Sequence, residues 1–180
     1  PAYLDSEFDQ IVSMANHITF NSFSQWQKYK DRVKASSRPI HCAIRINPEH
    51  SEVQKPIYDP CAKYSRMGVT LAEFKPELLD GIDGLHFHTL CEKNSDSLER
   101  TIAAVEAKFG PYLSKVKWVN FGGGHLITRR GYDIDKLCEI IRAFRERHNV
   151  EVILEPGQST ALNAGYLVAS VVDLVRNEME

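Results

Sequence analysis

Four polar clusters in the sequence carry residue types that could bind or activate a small molecule. Arg45 closes an apolar run, and His86 and His88 flank Phe87. Gly122-Gly123-Gly124-His125 follows Trp118-Val119-Asn120-Phe121, and Glu155 precedes Pro156-Gly157. Three adjacent residues without a Cβ let the backbone approach a ligand and let successive N–H groups converge, the chemistry of a phosphate cup. A flexible turn is the plain alternative for such a run. Histidines two apart share one face of a strand. His86 and His88, with His125 as a third ligand, could hold a divalent metal for a barrel hydrolase. Alternatively, one imidazole could lie flat on a planar cofactor. At Glu155 the proline fixes the turn and the glycine permits close approach, so the carboxylate is presented at a defined spot. There it can pair with a protonated ring nitrogen and make the ring a better electron sink, or form a structural ion pair. Arg45 is a functional cation or the partner of a buried acid, since arginine is seldom buried unpaired.

The elements that must position these groups repeat as strand, loop and helix. Residues 4–14 have helical spacing through Phe8, Ile11 and Val12, and His17–Phe20 reads as a strand. Asn21-Ser22-Phe23-Ser24 offers caps for a helix over residues 25–34. A strand over 40–46 precedes residues 47–67, where Pro48, Pro56 and Pro60 and the lack of a clean period predict a long loop, functional or disordered. Residues 68–79 read as partly helical, interrupted at Pro76, and 84–90 alternate as a strand. Asp96 with Glu99 resembles a capping box. The following helix buries Leu98, Ile102, Val105 and Phe109 and is expected to stop at Gly110-Pro111. The glycine stretch ends the next strand. Asp133 caps a helix that Asn149 ends, and 151–154 form a fifth strand. Residues 161–175, small and β-branched, read as a strand leaving the domain. Charged residues on the helices, among them Glu99, Arg100, Lys108, Arg142, Arg145 and Arg147, read as solvated faces.

Such alternation predicts an α/β protein with a parallel sheet. An open doubly wound sheet and a (β/α)8 barrel both fit, and the barrel would be incomplete, because closure needs eight strands and about 200–250 residues. In either, ligands gather at the C-terminal strand ends, where the four polar clusters fall in succession. The 180 residues, 43% hydrophobic and 26% charged, suit one domain with a sizeable core. A net charge of −2 supplies no basic face for nucleic acid or an anionic membrane. No apolar run approaches the roughly 20 residues of a membrane span. Cys42, Cys61, Cys91 and Cys138 form no CxxC pair, which favours a reducing cytoplasm over a disulfide or zinc framework. The chain begins at Pro1, and a longer parent protein is expected.

Leu85-His86-Phe87-His88-Thr89-Leu90-Cys91-Glu92, Asn120-Phe121-Gly122-Gly123-Gly124-His125 and Leu154-Glu155-Pro156-Gly157 occur in one order and at characteristic distances. Together they resemble the barrel domain of the alanine-racemase-like, fold-III pyridoxal-phosphate decarboxylases. Arg45-Ile46-Asn47-Pro48-Glu49-His50-Ser51, Tyr58-Asp59-Pro60-Cys61-Ala62 and Asn21-Ser22-Phe23 narrow the resemblance to the branch acting on carboxylated polyamines. It implies an incomplete TIM-type barrel of about five of eight βα units over residues 1–160. Residues 161–180 would then cross toward a C-terminal β domain. It also implies pyridoxal 5'-phosphate as cofactor, carboxynorspermidine or carboxyspermidine as substrate, and a homodimer.

By that resemblance His88 stacks on the cofactor ring, and Gly122, Gly123 and Gly124 bind its phosphate. Glu155 pairs with the pyridine nitrogen, Gly157 is a phosphate-side glycine, and Arg45 lies near the cofactor. Cys91 stands where ornithine and diaminopimelate decarboxylases carry a phosphate-binding serine. Gln158 takes a position that is Arg in those enzymes and Glu in the polyamine branch, and is assigned to the substrate side. The lysine that holds the cofactor covalently in this family lies upstream of anything in this sequence. A non-catalytic cofactor-binding protein and the metal-dependent hydrolase are the competing readings.

Overall fold

The computed structural model describes residues 2–176. Among them five strands form one sheet in the order β1-β2-β3-β4-β5, every neighbouring pair parallel. The strands are β1 (His17–Phe20), β2 (His41–Arg45), β3 (Gly84–His86), β4 (Trp118–Asn120) and β5 (Glu151–Ile153). Helices α1 (Asp5–Met14), α2 (Phe23–Lys34), α3 (Ser95–Leu113) and α4 (Ile134–His148) flank them, and a short α5 (Gly157–Ala161) follows β5. Strand order equal to sequence order is the pattern of a barrel wall, in contrast to a doubly wound sheet, whose order reverses.

Alternation along the strands assigns the two faces. Ile18, Phe20, Cys42, Ile44, Leu85 and Val119 are buried in the core that the helices cover. Phe8 of α1 stacks on Tyr29 of α2 with centroids 3.9 Å apart, and Phe144 of α4 meets Phe121 edge-on at 5.0 Å. Each such side chain stabilises the fold by about 1.5–3 kcal/mol on burial. The opposite face carries Arg45, His86 and Asn120 side by side, because Arg45 pairs in register with His86, and His86 with Asn120. Register therefore delivers three polar side chains to one row at the C-terminal edge.

The helix starts are as expected at two positions. The Ser22 side chain accepts from the Gln25 N–H, and that of Asp133 accepts from the Lys136 N–H. Asn149 ends α4 in the left-handed conformation, at φ 53°. Residues 47–67 form a loop holding one 3-10 turn, Pro56–Tyr58, and 68–79 contain the 3-10 turns Leu71–Glu73 and Pro76–Leu78.

Other expectations are corrected. Helix α3 is capped by Asn94, whose side chain accepts from the Ser95 N–H, so Asp96 is free to pair with Arg100. The helix runs through Gly110 and Pro111 to Leu113. A proline inside a helix costs about 3 kcal/mol. Burial of Phe109 and Leu113, both fully inaccessible, recovers that and carries the helix one turn further. The strand read over 84–90 keeps its ladder only through His86, which leaves His88 on the loop beyond it. Residues 162–176 lie exposed with no strand assigned, because a lone segment has no ladder partner for its backbone groups. The last four residues of the expected crossover, 177–180, fall outside the described residues.

Candidate active site

The C-terminal edge gathers the expected residues from four successive βα loops. Gly122 and Gly124 have φ of +69° and +85°, in the left-handed region that favours glycine. A Cβ on Gly122 would sit 2.5 Å from the Phe87 carbonyl oxygen, and one on Gly124 would sit 2.2 Å from that of Leu90. On Gly123 it would meet the Glu155 carbonyl oxygen at 2.6 Å. The triple glycine is thus wedged between the loops after β3 and β5, which a flexible turn would not require. The Gly122 carbonyl accepts from the Glu155 N–H at 2.9 Å, joining loop and acid through the backbone.

Glu155 is half-exposed, with one carboxylate oxygen 3.6 Å from His86 Nε2 and the other accepting from Asn120 Nδ2 at 2.8 Å. The neighbouring His86, followed by Asn120, holds its carboxyl at about 2 against the opposing effect of partial burial. A carboxylate kept ionised and aimed across the sheet edge suits a partner that must stay protonated, such as a pyridinium nitrogen.

His88 Nδ1 accepts a hydrogen bond from the Gly123 N–H at 3.1 Å, which assigns the proton to Nε2. Burial lowers its pKa, and the charges of Arg45 and His86 add to the effect, so a neutral ring sits against the glycine loop. Arg45 Nη2 donates to the His88 carbonyl at 3.3 Å, and Nη1 approaches Met67 Sδ at 3.5 Å. Among the described residues it makes no ion pair within 4 Å, although the charges of Cys61 and Glu155 act on it against the lowering effect of burial. Arg45, Tyr58, Met67, His88 and Cys91 line an open cleft of about 740 Å³ under the 47–67 loop. Gln158 Nε2 donates to Glu92 Oε1 at 2.9 Å, and Glu92 takes a left-handed backbone, at φ 53°. The Gly157 N–H is turned to the Glu155 carbonyl oxygen at 2.8 Å.

The trio His86, His88 and His125 is not assembled as a metal set. Among the described residues, those whose potential ligand atoms lie within 4.8 Å of one another are His86, His88 and Glu155. His125 is fully buried, with its pKa lowered by burial and its carbonyl accepting from Ser159 Oγ at 2.6 Å.

Two features were missed in the sequence. Asn120 was quoted within the glycine motif but given no role of its own, although an amide between Val119 and Phe121 in a buried run signals a polar task. Two of the helix charges read as solvated faces, Arg100 and Lys108, instead hold the 47–67 loop. Glu52 accepts from Ser97 Oγ at 2.7 Å and from Arg100 Nη2 at 2.9 Å, and Lys108 meets Glu49 at 2.7 Å. Arg100 follows Asp96 at the i, i+4 spacing, which was legible, but the loop acids opposite them were not.

No family model matches the chain. Over all 180 residues it is 42% identical to a carboxynorspermidine/carboxyspermidine decarboxylase of Campylobacter jejuni, covering 46% of that protein. It is 41% identical over 176 residues, 97% of the chain, to a carboxyaminopropylagmatine decarboxylase of Synechocystis, covering 45% of it. The crystal structure of the Campylobacter jejuni carboxynorspermidine decarboxylase complexed with norspermidine superposes with a TM-score of 0.83 at 39% identity. That match covers 99% of this chain and 45% of the solved one. In sequence and fold the chain is similar to the fold-III barrel decarboxylases, a family whose members generally depend on pyridoxal phosphate. Within that family its similarity is to the carboxynorspermidine/carboxyspermidine decarboxylases. It spans a little under half the length of the curated relatives it matches. The five-stranded sheet is accordingly a partial barrel.

Proposed function

We propose that the protein carrying this chain is a pyridoxal-phosphate-dependent decarboxylase of carboxylated polyamines, carboxynorspermidine or carboxyspermidine. The observation that carries this reading is Glu155, held ionised between His86 and Asn120 and bonded through its backbone to the glycine loop. The donor set fits the cofactor: a glycine cradle that a Cβ would fill, a neutral imidazole plane and a fixed carboxylate. When bound, the cofactor supplies an electron sink for the carbanion left by departing CO2.

The residues of this chain prepare that chemistry. Gly122, Gly123 and Gly124 would allow the phosphate to approach the backbone, and Cys91 and Gly157 are the further phosphate-side groups that the resemblance implies. His88 offers its ring face, and Gly123 fixes its tautomer. Glu155 keeps a proton on the ring nitrogen, and Arg45 places a positive charge at the cleft beside His88. Glu92, steadied by Gln158, presents a carboxylate for an ammonium of the polyamine. An amide at position 158 orients that acid without adding a second charge, so Glu92 and Gln158 together set which cationic chain is accepted. In the whole protein, residues 161–180 cross to a further domain, and the enzyme works as a cytoplasmic homodimer. Among the described residues no helix is long and apolar enough to cross a membrane.

The test is CO2 release by the intact protein with pyridoxal phosphate and four substrates: carboxynorspermidine, carboxyspermidine, carboxyaminopropylagmatine and diaminopimelate. Turnover of the first two above the others is expected. Preference for carboxyaminopropylagmatine would overturn the substrate assignment, turnover of diaminopimelate alone would overturn the branch, and no turnover of any would overturn the activity.

A further inference from the structure

We propose that Asn120 is the positioning residue that sets the ring end and the phosphate end of the site together. This rests on the reading of Glu155 as the ring-nitrogen acid. Asn120 ends β4 in the row with Arg45 and His86 and is 6% exposed. Its Nδ2 donates to Glu155 Oε1 at 2.8 Å, and its Oδ1 accepts from the Gly122 N–H at 2.8 Å. That amide orientation follows from the partners, since a carboxylate can only accept and an N–H can only donate.

Both functional ends of one planar group are therefore spent, one on the acid and one on the first glycine of the cup. An amide is rigid, so turning it toward either partner moves it away from the other. A second link runs in parallel, from the Glu155 N–H to the Gly122 carbonyl. His86 also approaches Glu155, but its side chain makes no hydrogen bond to the glycine loop among the described residues. Only an amide serves both partners at this position. Aspartate could accept from Gly122 but would set a second carboxylate against Glu155. Leucine would leave the buried Gly122 N–H without its acceptor and take away the Glu155 donor.

The test uses 1H–15N spectra of the intact, cofactor-free protein with the Gly122 amide assigned. Glu155→Gln is expected to move the Gly122 resonance in the wild-type background and to leave it in place in an Asn120→Ala background. Equal movement in both backgrounds, or none in either, would overturn the link. Should Asn120→Ala fail to fold, Asn120→Asp separates the two ends. It is expected to keep the Gly122 resonance near its wild-type position while lowering affinity for pyridoxal phosphate about tenfold, the loss of one charge-assisted hydrogen bond. Unchanged affinity, or a displaced Gly122 resonance, would overturn the proposal. Should the wild-type protein bind no pyridoxal phosphate, the proposed function fails while the amide shifts still decide the role of Asn120.

Discussion

The two ends of the sheet use similar residues to different effect. At the N-terminal end His41 lies 3.1 Å from Asp83, Lys117 lies 2.7 Å from the same carboxylate, and the His17 and His41 rings are 5.0 Å apart. At the C-terminal end Arg45, His86, His88 and Glu155 gather as many ionisable side chains. Lys117 is 75% exposed, and its partner Asp83 caps no glycine loop and lines no cleft with it. Burial would raise the Asp83 carboxyl, but hydrogen bonds from Lys117 and His41 prevail and hold it below the usual range. Those groups satisfy one another. At the other end, Arg45 makes no ion pair within 4 Å among the described residues, and Glu155 is tied to groups that aim it without neutralising it fully. Charge density does not distinguish a site from a surface cluster; backbone built to admit a ligand does.

The largest effect is expected on breaking the C-terminal end. Glu155→Ala should lower turnover of the preferred polyamine by about a thousandfold, the scale of losing one preorganised electrostatic group. Steady-state kinetics on the intact protein would show it, and a loss below tenfold would make the acid dispensable. Gly124→Ala should destabilise by about 2–4 kcal/mol in chemical denaturation, because left-handed strain and a backbone collision add. Gly131→Ala is the control. Gly131 has φ +82° but nothing within 4 Å of a new Cβ, so strain alone should cost about 1 kcal/mol. Equal losses at the two positions would remove the case for a wedged loop.

A third prediction concerns the loop above the cleft. The hydrogen-bonded Arg100 leads the effects that bring the Glu52 carboxyl down to about 2, below its ordinary value of 4.5. Its stabilisation is therefore complete above pH 4.5 and is lost as pH falls toward 2. Denaturation midpoints measured across that window should fall, and Arg100→Ala should flatten that fall. An unchanged slope would mean that the ion pair does not hold the loop. The smallest effect belongs to the N-terminal end. Lys117→Ala should change stability by less than about 1 kcal/mol, as exposed ion pairs do, and leave turnover unaltered. A hundredfold loss there would erase the contrast between the two ends.

Much of this division was legible in the residues. His17–Phe20 and the helix capped by Asp133 announced themselves by alternation, spacing and cap chemistry. The ordered motifs around His88, the triple glycine and Glu155 pointed to one edge of a parallel sheet. What stayed hidden depended on register or tertiary burial. Asn120 acquires its two partners only once β4 lies between β3 and β5, and its partner Gly122 is two residues away on a turn whose shape the sequence does not specify. Pro111 misled because buried Phe109 and Leu113 outweigh a local helix breaker. His125 looked like a ligand, but among the described residues the side chains close enough to share a metal are His86, His88 and Glu155.

The central claim is that Glu155 exists to keep a cofactor ring protonated above the glycine loop. The direct measurement is the 15N resonance of pyridoxal phosphate labelled at the ring nitrogen and bound to the intact protein. A protonated pyridinium signal at neutral pH, moving to the unprotonated position in Glu155→Gln, is the expected result. An unprotonated ring nitrogen in the wild-type protein, or a signal indifferent to Glu155→Gln, would contradict it.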